Sequence, residues 1–297
     1  MSKIYCGALV TAGILALFAV PSSAVKDRKI SANGLSFAYV EEGSGAPVVL
    51  VHGSVSDYRE WSKQMAPLAR HYRVIAYSRR YHWPNLPATK DADASVEHQA
   101  DDLAAIIQAM GIAPAHLVGH SFGGAVVLNL ALRHPELVRT LVLAEPAVSG
   151  VLADTPENDV VSKESQAIRA EMKDAFASGS SERIARTYAA HVAPGEFEKA
   201  APEARQMLLA NVTAFQLDYT SRRPRFTCED AGQVAVPVLV LSGDRSPMGL
   251  QRIAETAARC IKAARFVSIP QATHWLQSDH AQAFNHAVLA FLARPGR

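Results

Sequence analysis

The chain has 297 residues, 49% of them hydrophobic and 20% charged, with 30 basic against 28 acidic side chains and a net charge of +2. That composition excludes a disordered, collagen-like or coiled-coil protein, and the near-neutral charge leaves no electrostatic footprint for nucleic acid. The length allows one large domain or two small ones, and the single long apolar run lies at the N-terminus, which excludes a multi-span membrane protein.

Met1 to Ala24 read as an address rather than as part of the fold. Lys3 supplies a positive start, and Gly7 to Val20 form an apolar stretch that is short for a bilayer. Pro21 ends it, and Ser22-Ser23-Ala24 put small residues where a signal peptidase cuts. The alternative is a retained N-terminal anchor. Cys6 precedes the apolar stretch, so it is not placed like a lipoprotein cysteine. The pattern predicts export to a periplasmic or extracellular space, with no stable membrane association once the leader is cleaved. Cys228 and Cys260 then remain, as one bridge in an oxidising compartment or as two buried thiols. Sequence leaves both open, because it does not give the Cα separation a disulfide requires. The histidines and cysteines form no metal-ligand cluster.

Downstream, Lys29 to Ser31 and Leu35 to Glu41 flank Asn33-Gly34, a hairpin signal. Short apolar runs at Val48 to Val51, Tyr72 to Tyr77, His116 to Gly119, Val138 to Ala144, Val238 to Ser242 and Arg265 to Ile269 predict strands. Helical patterns fall between them, over Val96 to Met110 and Gly123 to Arg133 for example. Continuous apolar strands alternating with helices predict a parallel sheet covered on both faces. Between about Val148 and Cys228 the rhythm breaks. Helical runs at Lys163 to Phe176, Glu182 to Val192 and Pro202 to Leu217 are punctuated by Gly179, Pro194-Gly195 and Pro202. An all-helical insertion between two core strands predicts a cap, residues 148–227, over the C-terminal edge of a core made of 25–147 and 228–297. Ligands bind at that edge in open α/β sheets.

Three motifs carry a chemistry. Gly119-His120-Ser121-Phe122-Gly123 is a G-x-S-x-G between a strand and a helix, a turn that lifts the Ser121 hydroxyl above the sheet. His52-Gly53-Ser54 closes an earlier core strand. A serine hydrolase needs two backbone N–H donors for the oxyanion; the positions predict Phe122 for one and Ser54, ahead of Gly53, for the other. Gln271-Ala272-Thr273-His274-Trp275 follows the last strand and puts His274 at the same sheet edge as Ser121, as a general base.

On these residues the chain resembles the α/β-hydrolase superfamily over roughly Val48 to Leu292, through VLVHG, LVGHSFGG, HPELVRTLVL, VPVLVLSG and ATHW. The resemblance implies an eight-stranded, mostly parallel sheet with a lid after the sixth strand. It also implies a Ser–acid–His triad without a cofactor.

The acid departs from the family's common pattern. An Asp usually follows the seventh strand, three residues past a Gly; here that slot holds Ser246, with Asp244 two positions early. Glu145, at the end of the sixth strand, is the other candidate, in a position from which some haloalkane dehalogenases and fungal lactonases of the superfamily take their acid. A carboxylate there needs a partner, since an unpaired buried charge is very costly, and His274 would supply one. Glu145 is therefore the expected acid and Asp244 the alternative. Arg79-Arg80-Tyr81-His82-Trp83 also departs from the family pattern. With Asp57, Tyr58, Arg59 and Trp61 it forms either a substrate-recognition wall or a structural network, such as Asp57 with Arg80; pairing is the commoner fate of such charges.

A serine nucleophile predicts acyl transfer through an acyl-enzyme. Trp275, beside the histidine, Tyr58 and Phe215 of the cap are candidate substrate contacts in a mainly apolar pocket. The expected substrate is a small-molecule carboxylic ester or lactone with a small to medium apolar acyl group. Carbon–carbon bond hydrolysis, cofactor-free perhydrolysis and a catalytically silent ligand-binding role are the alternatives.

Overall fold

The computed structural model describes residues 27–89, 92–222, 224–262 and 264–294; the leader expected over Met1 to Ala24 lies outside them. The chain enters through a hairpin, β1 (Arg28–Ala32) and β2 (Leu35–Glu42), paired antiparallel with Ala32 opposite Leu35. Asn33 and Gly34 both take positive φ, 45° and 74°. This is the two-residue turn that favours an Asn-Gly pair.

The alternation of strands and helices follows: β3 (Pro47–Val51), α1 (Ser62–Ala69), β4 (Arg73–Tyr77), α2 (Val96–Ala109), β5 (Ala115–His120), α3 (Phe122–Arg133) and β6 (Val138–Ala144). After the β6–β7 connection come β7 (Val238–Gly243), α10 (Met248–Cys260), β8 (Ala264–Ile269), α11 (Leu276–Asp279) and α12 (Ala281–Ala293). The strands form one eight-stranded sheet in the order β1-β2-β4-β3-β5-β6-β7-β8. β2 runs antiparallel to both its neighbours, and all pairs from β4 to β8 are parallel.

Side chains alternate across a strand, so a strand covered on both faces must be apolar throughout. In β3, Val49 and Val51 pack on one face with Leu103 and Ile106 of α2, Val126 of α3 and Ile253 of α10. Val48 and Leu50 pack on the other with Met65 and Leu68 of α1 and Phe284 and Val288 of α12. β5, β6 and β7 divide in the same way.

The β6–β7 connection is helical: α4 (Asn158–Ala177), α5 (Ser181–Val192), α6 (Glu196–Lys199), α7 (Pro202–Ala210), α8 (Val212–Thr220) and α9 (Cys228–Gly232). Its apolar side chains Met172, Ile184, Leu208, Val212 and Phe215 form a cluster of their own that reaches the core at Val55. The single helix expected over Pro202 to Leu217 is two. Asn211 breaks it at φ −109°, ψ 5°, where its amide donates to Asp57 Oδ2 at 2.7 Å and accepts from the Trp83 N–H at 2.8 Å. Cys228 and Cys260 are joined, with a Cα separation of 5.1 Å, which ties α9 to the end of α10. Among the described residues no helix is long and apolar enough to cross a membrane.

Candidate active site

β5 delivers Ser121 into a sharp turn before α3. Ser121 sits at φ 51°, ψ −114°, a left-handed backbone that non-glycine residues hold only under constraint. Two glycines make the turn passable. A Cβ on Gly119 would lie 2.5 Å from the Gly123 carbonyl oxygen, and one on Gly123 would lie 2.2 Å from that of Val51. The Ser121 N–H donates to Ala144 O and its carbonyl accepts from Ala147 N–H, both at 2.9 Å, so the turn is fastened to the end of β6 on both sides of Glu145.

Glu145 itself is turned by a φ of 43°. Its Oε1 accepts from Ser242 Oγ at 2.7 Å and from the Gly243 N–H at 2.8 Å, while Oε2 accepts from His274 Nδ1 at 2.6 Å. Both side chains of the pair are buried. Burial raises the Glu145 pKa, but the His274 hydrogen bond and charge and the other donors outweigh it and leave the carboxyl below its usual range. Ser246 contributes to that lowering, although its hydroxyl makes no hydrogen bond of ordinary geometry. Burial lowers His274, and the Glu145 hydrogen bond only partly restores it, so the ring is neutral near pH 7. With Nδ1–H held by Glu145, Nε2 carries the free lone pair that a general base needs. Asp244 is exposed and accepts from the Gln271 N–H at 2.6 Å instead.

Phe122 is the first residue of α3, a position whose N–H has no acceptor within the helix. On the other side of the turn the Gly53 N–H donates to Glu60 Oε2 at 3.1 Å. The Gly53 N–H is thus engaged within the protein, while Ser54, the other position expected from sequence, borders the cavity described below.

A second acid–histidine pair went unnoticed in the sequence. His120 Nδ1 lies 3.0 Å from Glu60 Oε1, and its Nε2 donates to the backbone carbonyl of His274 at 2.9 Å. The two imidazole rings are 4.7 Å apart between centroids. Burial would lower His120, yet the Glu60 charge outweighs it and raises the pKa. The signal was the histidine inside G-x-S-x-G: a polar side chain at the buried end of a core strand needs a partner.

A cavity of about 710 Å³ opens between this edge and helices α5 to α7, lined among others by Ser54, His120, Tyr188, Met207 and Trp275. Ser121 is not part of its lining; it stands behind Gly53, where an added Cβ would come within 3.4 Å of the Ser121 Cβ. Trp275 and Ser54 thus meet the cavity. Tyr58 and Phe215, expected as substrate contacts, do not. The Tyr58 hydroxyl donates to Asp27 at 2.6 Å and its ring packs near Trp83. Phe215 is buried among Phe176, Tyr188 and Tyr219 as the aromatic centre of the β6–β7 helices.

The Arg79-Arg80 loop forms a structural network, but with other partners than the Asp57–Arg80 pair suggested by sequence. Arg80 grips Asp102 of α2 through Nε at 2.6 Å and Nη2 at 2.7 Å. Asp57 is held by Arg59 and Asn211. Arg79 reaches Asp218 of α8, with Nη2 to Oδ2 at 2.7 Å. Asp57 is therefore already paired with Arg59 of its own turn and hydrogen-bonded by the Asn211 amide, which leaves Arg80 to Asp102 and Arg79 to Asp218.

The model of the alpha/beta hydrolase fold matches residues 46–281. The chain is 31% identical over 286 residues to the 2-hydroxymuconate semialdehyde hydrolase of Pseudomonas sp. strain CF600, covering 90% of this chain and 93% of that one. It is 26% identical over 277 residues to a non-heme haloperoxidase of Rhodococcus erythropolis, covering 88% and 97%. Among solved structures, a thermophilic esterase of Thermogutta terrifontis superposes with a TM-score of 0.73 at 24% identity, over 92% of this chain and all of the other. The turn at Ser121, the sheet that carries it and these likenesses together place the chain in the alpha/beta hydrolase family.

Proposed function

We propose that the protein is a serine hydrolase that opens small to medium carboxylic esters or lactones through an acyl-enzyme. The observation that carries this reading is the buried 2.6 Å hydrogen bond from His274 Nδ1 to Glu145, beside the strained turn that presents Ser121. His274 Nε2 takes the Ser121 proton as the oxygen attacks the substrate carbonyl. The N–H groups of Phe122 and Ser54 receive the oxyanion, and Glu145 holds the charged form of His274. His274 passes that proton to the alcohol oxygen as the carbonyl–alcohol bond breaks and the alcohol leaves; neutral again, it activates a water that attacks the acyl-enzyme, and its proton returns to Ser121 as the acid is released. The mainly apolar cavity at Trp275 and Met207 would take the acyl or alcohol part, and residues 148–227 would act as its lid.

Hydrolysis of a short- to long-chain nitrophenyl ester series, with Ser121→Ala alongside, tests this. Turnover that vanishes in the variant is the expected result. A well-folded wild type without turnover on any ester would overturn the ester reading. A relative named for hydrolysing a semialdehyde, a substrate with no ester to cleave, supports carbon–carbon bond hydrolysis by the same residues as the second reading.

We also infer that Met1 to Ala24 direct export. The Cys228–Cys260 disulfide supports an oxidising compartment. The mass of the exported chain tests this: a protein that retains Met1 to Ala24 would contradict it.

A further inference from the structure

We propose that Arg79 and Asp218 are positioning residues of the oxyanion loop: the Asp218 carboxylate, carried by α8, holds the Arg79 guanidinium against the carbonyls of His52 and Gly53 and so aims the Ser54 N–H. This rests on the serine-hydrolase reading above.

The geometry concerns two successive peptide groups. In the first, the His52 carbonyl accepts from Arg79 Nε at 3.1 Å and the Gly53 N–H donates to Glu60 at 3.1 Å. In the second, the Gly53 carbonyl accepts from Arg79 Nη2 at 2.8 Å and lies 2.8 Å from His52 Nδ1. His52 Nε2 accepts from the Arg79 N–H at 2.9 Å, so its proton sits on Nδ1 and points at the same carbonyl. A trans peptide is planar, with its C=O and N–H pointing in opposite directions. Fixing the Gly53 oxygen from two donors therefore fixes the direction of the Ser54 N–H. A cation on the oxygen also draws electron density through the amide and makes that N–H a stronger donor, an effect enhanced where water is absent.

Arg79 is in turn held by the helices above the sheet edge. Asp218 Oδ2 accepts from Nη2 at 2.7 Å and Oδ1 lies 3.3 Å from Nη1. Gln99 Oε1 accepts from Nη1, while its amide donates to Asp218 Oδ1 at 2.9 Å. His82 Nε2 is 3.2 Å from Asp218 Oδ2. The guanidinium lies 4.6 Å from the centre of the Phe122 ring, the residue that offers the first oxyanion N–H. Arg79 and Asp218 are both essentially fully buried. A pair this deep is poor evidence of stabilisation, because apolar replacements are often as stable. What it does here is join α8 to both peptides of the loop that receives the oxyanion.

The test compares wild type with Asp218→Asn and with the double variant Arg79→Met/Asp218→Leu. The double variant leaves no charge unpaired and covers the case in which Asp218→Asn fails to fold. On an ester that the wild type turns over, kcat should fall by about tenfold to a hundredfold with KM within about threefold, as for a misaimed oxyanion donor. Affinity for a trifluoromethyl ketone, whose adduct with Ser121 carries the oxyanion, should fall in parallel, while affinity for the product acid stays unchanged. A folded variant with wild-type kcat, or a kcat loss that the ketone affinity does not follow, would overturn the proposal. Absence of turnover in the wild type itself would instead overturn the ester reading on which it rests.

Discussion

The Glu145 carboxylate accepts a 2.6 Å hydrogen bond from His274 Nδ1, whereas Asp244 faces solvent and accepts from the Gln271 N–H. The two acids should therefore respond very unequally to removal of charge. Glu145→Gln keeps the shape but offers an amide where His274 needs an acceptor, and it removes the charge that stabilises imidazolium. The expected loss in kcat is about a thousandfold to ten-thousandfold, by the precedent of misoriented triad histidines. Asp244→Asn should stay within about twofold of wild type, since exposed substitutions away from the site change little. Steady-state kinetics on one ester decides it, and a reversed ranking would transfer the acid role to Asp244.

Glu60→Gln should move the acid limb of kcat/KM to higher pH. His120 is faced by Glu60 of the turn before α1, by Gln277 of α11, by His274 and Glu145 across the site and by His52 of the loop after β3. Glu60 is the group that keeps its charge. Without it, burial leaves His120 neutral. His274 then loses the lowering influence of a charged neighbour, which is larger than the raising influence of Glu60 itself. Its pKa rises, so the base becomes protonated at a higher pH than in wild type. A pH–rate profile with an unmoved or lower acid limb would show that His120 is not charged in the working enzyme.

Much of this was legible in the sequence, for identifiable reasons. Strands buried on both faces must be apolar throughout, so Val48 to Val51 and Val238 to Ser242 stand out unaided. The turn at Ser121 needs small neighbours, and Gly119 and Gly123 announce it. The direction of Glu145 was only arguable, because it depends on a positive φ that no residue type signals at that position. The partners of Arg79 and Arg80 were not legible at all. Asp218 lies more than a hundred residues downstream of Arg79, on a helix whose seating against the core is decided by tertiary packing. Its one local sign is an acid three residues after Phe215, on the side of α8 that is buried. Tyr58 and Phe215 pack outside the cavity, and sequence does not distinguish that, since aromatic residues near a sheet edge serve equally as packing and as pocket wall.

The Asp218–Arg79 pair should also appear in acid stability. Asp218 is buried, which alone would raise its pKa, but Arg79 and His82 outweigh burial and hold it at about 2, against an ordinary value of 3.8. A depressed carboxyl contributes stability that is present above the unfolded pKa and lost as pH falls through the folded one. The contribution is of the order of 2 kcal/mol, lost between about pH 4 and pH 2. Urea unfolding across that range should show wild type losing about this much more than Arg79→Met/Asp218→Leu. Equal losses would mean that Asp218 carries no depressed pKa in the folded state.

Reduction of Cys228–Cys260 should weaken the fold without changing the chemistry. The bridge closes a sequence separation of 32 residues that spans α9, β7 and α10. On the chain-entropy model a loop of that length is worth about 3–4 kcal/mol. In a domain of this size that corresponds to a fall in Tm of roughly 6–12 °C. The bridge lies at the far end of α10, away from Ser121 and His274, so kcat at room temperature should be unchanged in the reduced protein. Thermal melts and ester kinetics with and without a reductant check both halves. A reduced protein with unaltered Tm would mean that packing of α9 on α10 alone holds this flank, while a loss of kcat with Tm intact would connect the flank to the site through β7, whose Ser242 and Gly243 hold Glu145.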